Sequence, residues 1–163
     1  MLVAMAALEA TINVQGPKGS RAVPIEEFHL LPGDTPQRET VLEPGELITH
    51  VTLPPPIANA KQIYLKLRDR ASYEFALASS AVVIKVADGK VSQARVALGG
   101  VGTKPWRSAE AEVALVGQPA NQENFRKAAE AALRDAKPQS QNAFKVELAK
   151  RCLTYSLNMA LTA

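Results

Sequence analysis

The sequence predicts an α+β chain built in two unequal parts, and three observations carry that reading. Residues 62–98 hold three strand-like runs, the last two joined by Asp88-Gly89, a strong two-residue hairpin signal. Residues 108–161 hold three helical patterns, two of them opened by residues suited to an N-cap, Ser108 and Asn121. Pro54-Pro55-Pro56 divides this region from a smaller mixed segment, because consecutive prolines donate no ladder hydrogen bonds and hold an extended linker. The larger part, residues 57–163, is therefore expected to be a three-stranded antiparallel sheet packed with a three-helix layer, and residues 1–56 a separate unit.

In chain order, Leu2, Val3, Met5, Ala6 and Leu8 fit a short buried helix, and Thr11 to Val14 a strand closed by the Gly16-Pro17 turn. A second strand is expected around Arg21 to Ile25, and His29 to Glu43, rich in Pro, Gly, Asp and Thr, reads as an exposed loop. Glu46 to Leu53 alternates, with Leu47, Thr49, Val51 and Leu53 on one face and Ile48, His50 and Thr52 on the other.

Beyond the prolines, Gln62 to Arg68 alternates with Ile63, Leu65 and Leu67 inward; Ala78 to Val86 and Val91 to Leu98 complete the sheet. Helices are expected over Ser108 to Val116, Gln122 to Ala136 and Asn142 to Leu161. In the middle one Phe125, Ala128, Ala129, Ala132, Leu133 and Ala136 form a single apolar stripe. In the last, Phe144, Leu148, Cys152, Tyr155 and Met159 share a face, with Leu153 and Leu157 adjoining, and the wide arc predicts a central position.

Composition narrows the function classes. At 163 residues and 47% hydrophobic content the chain can bury one sizeable core, or one domain and part of another. Its 19 basic and 16 acidic residues, net +3, are too balanced for a nucleic-acid surface, which needs a concentrated basic face. Apolar runs are short and broken by charge, so no membrane span is expected, and Met1 to Ala10 lacks the basic start of a signal peptide. The cytoplasm is the default compartment; a subunit exported folded to the periplasm would read the same. A single cysteine, Cys152, leaves no internal disulfide and falls on the apolar stripe as a small hydrophobe.

Several chemical motifs fail on spacing. Gly99-Gly100-Val101-Gly102-Thr103-Lys104 has the glycines of a phosphate loop, but its lysine follows the threonine; a strand-to-helix turn needing positive φ accounts for the glycines. His29 and His50 have no third ligand at metal spacing, so no metal site is expected. Glu9, Asp69 and Glu74 are not paired for acid–base work, and no nucleophile–base set stands out, so no catalytic residue is assigned. One charged stretch does stand out: Lys66, Arg68, Asp69 and Arg70 put three cations and one anion into five residues, which taken alone a solvated face explains.

That stretch, YLKLRDRASYEFALASS from Tyr64 to Ser80, together with the Asp88-Gly89 hairpin, a strand ending ALGGV and the turn GGVGTKPWR, resembles the C-terminal domain of the FAD-binding subunit of molybdenum hydroxylases. This family includes the xanthine dehydrogenases, aldehyde oxidoreductases and aerobic carbon monoxide dehydrogenases; the string RDRASY brings the resemblance nearest to the aldehyde oxidoreductase type. Upstream, MLVAMAALEATINVQG resembles a helix and strand near the end of the family's FAD-binding domain, and LEPGELITHVTLP its last strand.

The resemblance implies that residues 1–56 are the C-terminal remnant of an α+β FAD-binding domain, without the glycine-rich loops that wrap the FAD pyrophosphate. It implies a flavoprotein subunit, the FAD-dependent part of an oxidoreductase complex, that takes electrons from the iron–sulfur clusters of a molybdenum hydroxylase and passes them to an external acceptor. Its partners would be a molybdenum-cofactor subunit and an iron–sulfur subunit, with no nucleic acid and no membrane. FAD is expected in the intact subunit, while this stretch alone is expected to be inactive and to lack it.

Carried over by residue, Ile48 matches an apolar position packing near the flavin ring, and Lys66 a lysine beside its pyrimidine edge. Arg68 and Arg70 would add positive potential or instead pair with Asp69 or Glu74; Tyr73 would cover the ring. The competing class is a non-catalytic subunit-assembly module.

Overall fold

The computed structural model describes residues 1–162, and in it the described residues form five helices and seven strands. Helix α1 (Leu2–Ala7) leads into the hairpin β1 (Thr11–Gly16) and β2 (Gly19–Pro24), the single turn α2 (Ile25–Phe28) and, after a mostly exposed loop, β3 (Leu47–Thr52). These strands make an antiparallel sheet in the order β2-β1-β3. The turn α2 was not expected from the sequence; Ile25 and Phe28, three apart, bury together on its one inward side.

After the prolines come β4 (Lys61–Leu67), β5 (Ala78–Ala87), β6 (Lys90–Gly99), a two-residue β7 (Trp106–Arg107), and helices α3 (Ala109–Leu115), α4 (Gln122–Ala132) and α5 (Phe144–Thr162). The second sheet runs β4-β5-β6-β7, all antiparallel. It thus has a fourth strand where three were expected, because the chain turns at Gly100 and lays Trp106 and Arg107 against Leu98 and Ala97 before the helix begins. At the β5–β6 hairpin Ala87 opposes Lys90, and Asp88 and Gly89 both take positive φ (51° and 73°), as a type I′ turn requires. Ser108 and Asn121 cap α3 and α4 through side-chain oxygens that accept from the main-chain N–H groups of Ala111 and Asn124.

Two apolar cores share the second sheet. One face carries Ile63, Leu65 and Leu67 of β4 with Ala78, Val82, Ile84, Val96 and Leu98, packed against α3, α4 and α5. The stripe of α4 is buried as the spacing predicts, although the helix stops at Ala132 and Leu133 already serves as its C-cap. The face expected of α5 needs correction: Phe144 and Tyr155 are exposed, and the buried line is Ala149, Cys152, Leu153, Ser156, Leu157 and Ala160. Where the helix lies closest to the sheet its residues are small: the Ser80 hydroxyl donates to Ser156 Oγ at 2.7 Å and sits 3.6 Å from Cys152 Sγ, while Leu153 and Leu157 fill the core beside them.

The opposite face of the same sheet holds the second core. Ala6, Ala7 and Ala10 pack with Ile12, Val14, Val23, Ile25 and Phe28 against Ala81 and Ala97. The buried side of α1 is therefore Ala6 and Ala7, and Leu2 is exposed. Gly99 is needed here for close approach rather than for its φ, since a Cβ would overlap Val3 Cγ2; of Gly99, Gly100 and Gly102, only Gly100 has positive φ. The alternation in β3, one of the two edge strands of the first sheet, sorts nothing, as every one of its residues is exposed. No helix among the described residues is long and apolar enough to cross a membrane.

Candidate functional site

Between β4 and β5 the chain makes an irregular excursion through residues 68–77 that returns when Leu77 N–H donates to Leu67 O at 2.9 Å. Its side chains are mostly in solvent, and the main chain supplies its internal order. Lys66, on the face of β4 opposite Ile63, Leu65 and Leu67, reaches across the excursion and donates to the main-chain carbonyl of Glu74 at 2.5 Å. The Glu74 carboxylate accepts from Arg70 N–H at 2.7 Å. From the far side, Lys145 in the first turn of α5 donates to Leu77 O at 3.2 Å and Gly100 O at 2.9 Å. Strand β4 beside it and α5 from far along the chain thus hold the excursion, Lys145 tying its return end also to Gly100.

What this scaffold presents is unusual for a folded surface. Tyr73 and Phe75 are each 95% exposed, and Tyr73 holds a left-handed φ of 52°, disfavoured for an aromatic residue. Arg68 and Arg70 are exposed, and among the described residues neither enters an ion pair; neither Asp69 nor Glu74 neutralises them. Ile48 lies on the other sheet, opposite Val14 in register and 48% exposed, in a strand that also exposes Leu47, Val51 and, just beyond its end, Leu53. Hydrogen bonds therefore gather Lys66, Arg70 and the main chain next to Tyr73 into one unit, while Ile48 belongs to a separate apolar strip.

Chemically, these side chains offer two different things, stacking area and positive charge. Exposed aromatic and aliphatic side chains supply stacking area, and uncommitted guanidinium groups and the lysine supply positive potential. Phe75, as exposed as Tyr73, escaped the sequence reading because an aromatic residue beside Ala76 and Leu77 resembles the start of a buried strand.

A second constellation also escaped it. Arg107 Nη1 donates to Ala6 O at 3.1 Å and to Glu26 at 3.2 Å, Nη2 to Glu9 at 3.1 Å and to Glu112 at 3.1 Å, and Nε to Glu112 Oε1. Glu112 Oε1 also accepts from Val96 N–H at 2.8 Å, and Arg95 pairs with Glu9 at 2.5 Å. Burial works against the Arg107 charge, but the bonds to Glu112 and Glu9 outweigh it and raise its pKa. The only sequence signal was the lone arginine of PWR; Glu112 lies five residues on, but Glu9 and Glu26 lie far away in the chain. His29, whose Nδ1 is buried without a partner, has its pKa lowered by that burial. No group of three or more metal-ligating side chains occurs among the described residues.

Comparison with known proteins decides the family. The model of the CO dehydrogenase flavoprotein C-terminal domain matches residues 63–160. The chain belongs to this flavoprotein family. The model of the FAD binding domain in molybdopterin dehydrogenase matches residues 1–56. Among curated relatives, the aldehyde oxidoreductase FAD-binding subunit PaoB of Escherichia coli is 46% identical over 94% of this chain and 45% of that protein. The glyceraldehyde dehydrogenase medium chain of Sulfolobus acidocaldarius is 35% identical over 74% of this chain and 41% of its own length. A solved carbon monoxide dehydrogenase from Hydrogenophaga pseudoflava superposes with a TM-score of 0.87 at 30% identity, covering 98% of this chain and 55% of that one. The chain spans about half the length of the relatives it matches.

Proposed function

We propose that this chain is the C-terminal part of a FAD-carrying subunit of a molybdenum hydroxylase, with residues 1–56 finishing the FAD-binding domain and residues 57–163 closing over the flavin. The observation that carries the reading is the excursion after β4, where a lysine-clamped main chain presents a fully exposed, left-handed Tyr73 among unpaired arginines. FAD, when bound, accepts electrons and passes them on, and negative charge develops at the N1–C2=O edge of its ring.

Lys66 would place positive charge at that edge, spending one of its three donors on Glu74 O and keeping two for a ligand. Arg68 and Arg70 would add longer-range potential, Tyr73 would cover the ring face, and Ile48 would exclude water from the apolar side. Within the intact subunit, electrons would come from iron–sulfur clusters fed by a molybdenum centre that oxidises an aldehyde or a xanthine-like compound, and leave to an external acceptor. The molybdenum-cofactor and iron–sulfur subunits are then the partners. Names of the relatives, among them FAD-binding subunits of aldehyde and xanthine enzymes, support this assignment.

The experiment is to express the full-length subunit and the 163-residue chain in parallel and measure bound FAD. FAD near one per full-length subunit and little on the shorter chain is expected, because phosphate groups are commonly held by glycine-rich loops and residues 1–56, the part assigned to the FAD-binding domain, contain none. A colourless full-length subunit that still assembles with its partners would instead favour the assembly-module reading.

A further inference from the structure

We infer that Arg107 is a positioning residue for the flavin site, holding the part of the chain that carries Ile48 in register with the part that carries Lys66 and Tyr73. The inference rests on the function proposed above, which puts ligand contacts on both parts. It needs something to fix their relative placement, and the apolar contact between them carries no directional bond of its own. That contact is made by Ala6 and Ala7 against Ala81 and Ala97, with Val3 seated over Gly99. Such small side chains bring the two parts close together but offer no polar group to bond across the contact.

Directional bonds supply what the packing lacks. Arg107 donates across the boundary to Ala6 O, Glu9 and Glu26, and Arg95 adds a bond to Glu9. On its own side Arg107 is gripped by Glu112, itself fixed to the main chain of β6 through Val96 N–H. The side chain of Arg107 is only 15% exposed, so its planar fork is held in one geometry, and a lysine could not reach the carbonyl and three carboxylates together. Displacements near 1 Å are enough to degrade a site made of separately mounted contacts.

The test uses the full-length subunit carrying Arg107→Lys, with FAD affinity measured by fluorescence titration and amide exchange followed in residues 2–10 without FAD. The expected result is weaker FAD binding by about tenfold, the scale of losing one charge-assisted hydrogen bond, with faster exchange in α1 and unchanged protection in α4 and α5. Unaltered FAD affinity beside faster α1 exchange overturns the inference, since the clamp is then structural only; unaltered exchange overturns it too. Should Arg107→Lys fail to fold, the double variant Glu9→Gln, Glu26→Gln keeps the Glu112 grip and carries the same expectations. A wild-type subunit that binds no FAD overturns the proposed function and this inference together. FAD binding lost with Lys66→Met but kept with Arg107→Lys overturns this inference alone.

Discussion

The Lys66 ammonium donates to the main-chain carbonyl of Glu74, eight residues on, at 2.5 Å, and so staples the excursion from β4 across its own base. A lysine read from the sequence as either solvated or flavin-facing thus has a third, conformational task. Lys66→Met should leave β4 in place, since its inward residues are Ile63, Leu65 and Leu67, but free the segment around Tyr73. Limited trypsin digestion is expected to cut faster after Arg68 or Arg70 in the variant, with a global stability loss of only about 1 kcal/mol. Equal cleavage rates would show that the staple does not hold the loop.

Phe125 is fully buried at the start of α4, where it anchors the helix layer to the sheet. Phe125→Ala should cost about 3–5 kcal/mol by urea unfolding, through lost burial and the cavity left behind. A cost below about 1 kcal/mol would mean that the core collapses around the gap.

The tight seat of α1 predicts a compensating pair. A Cβ at Gly99 would overlap Val3 Cγ2 and lie 2.7 Å from Ser79 Oγ. Gly99→Ala should therefore destabilise by about 1–3 kcal/mol, and Val3→Ala in the same chain should recover part of the loss. Additive losses in the double-mutant cycle would place the strain elsewhere.

Arg21 donates to Glu46 at 2.7 Å and 2.8 Å, and with the Glu43 N–H it holds the Glu46 carboxyl down at about 2. A depressed carboxylate pKa contributes stability that is present above its ordinary value of 4.5 and is lost as pH falls toward 2. Acid unfolding of the chain between those limits should be shallower for Glu46→Gln than for wild type. Identical pH profiles would deny the pair any role.

Much of the architecture was legible because periodicity and caps are local properties. The α4 stripe, the Asp88-Gly89 turn and the Ser108 and Asn121 caps each depend on residues a few positions apart. What escaped depends on packing between distant segments. The buried α5 face keeps Cys152, Leu153 and Leu157 but adds Ala149, Ser156 and Ala160 in place of Phe144 and Tyr155, with Ser156 bonded to Ser80 on the sheet. The Arg107 cluster joins residues from Ala6 to Glu112, which no sequence window contains. At the site, the charge of Lys66 to Arg70 was visible; the exposure of Phe75 and the left-handed φ of Tyr73 were not.

The most direct measurement of the central claim is the FAD midpoint potential of the full-length subunit with Lys66 intact and with Lys66→Met, at matched cofactor occupancy. A cation at the ring's N1–C2=O edge favours the reduced, negatively charged flavin, so its removal should lower the potential. At partial exposure the effect is on the order of 1 kcal/mol, or about 20–30 mV for a two-electron couple. An unchanged potential at full FAD occupancy would contradict the placement of Lys66 at the flavin.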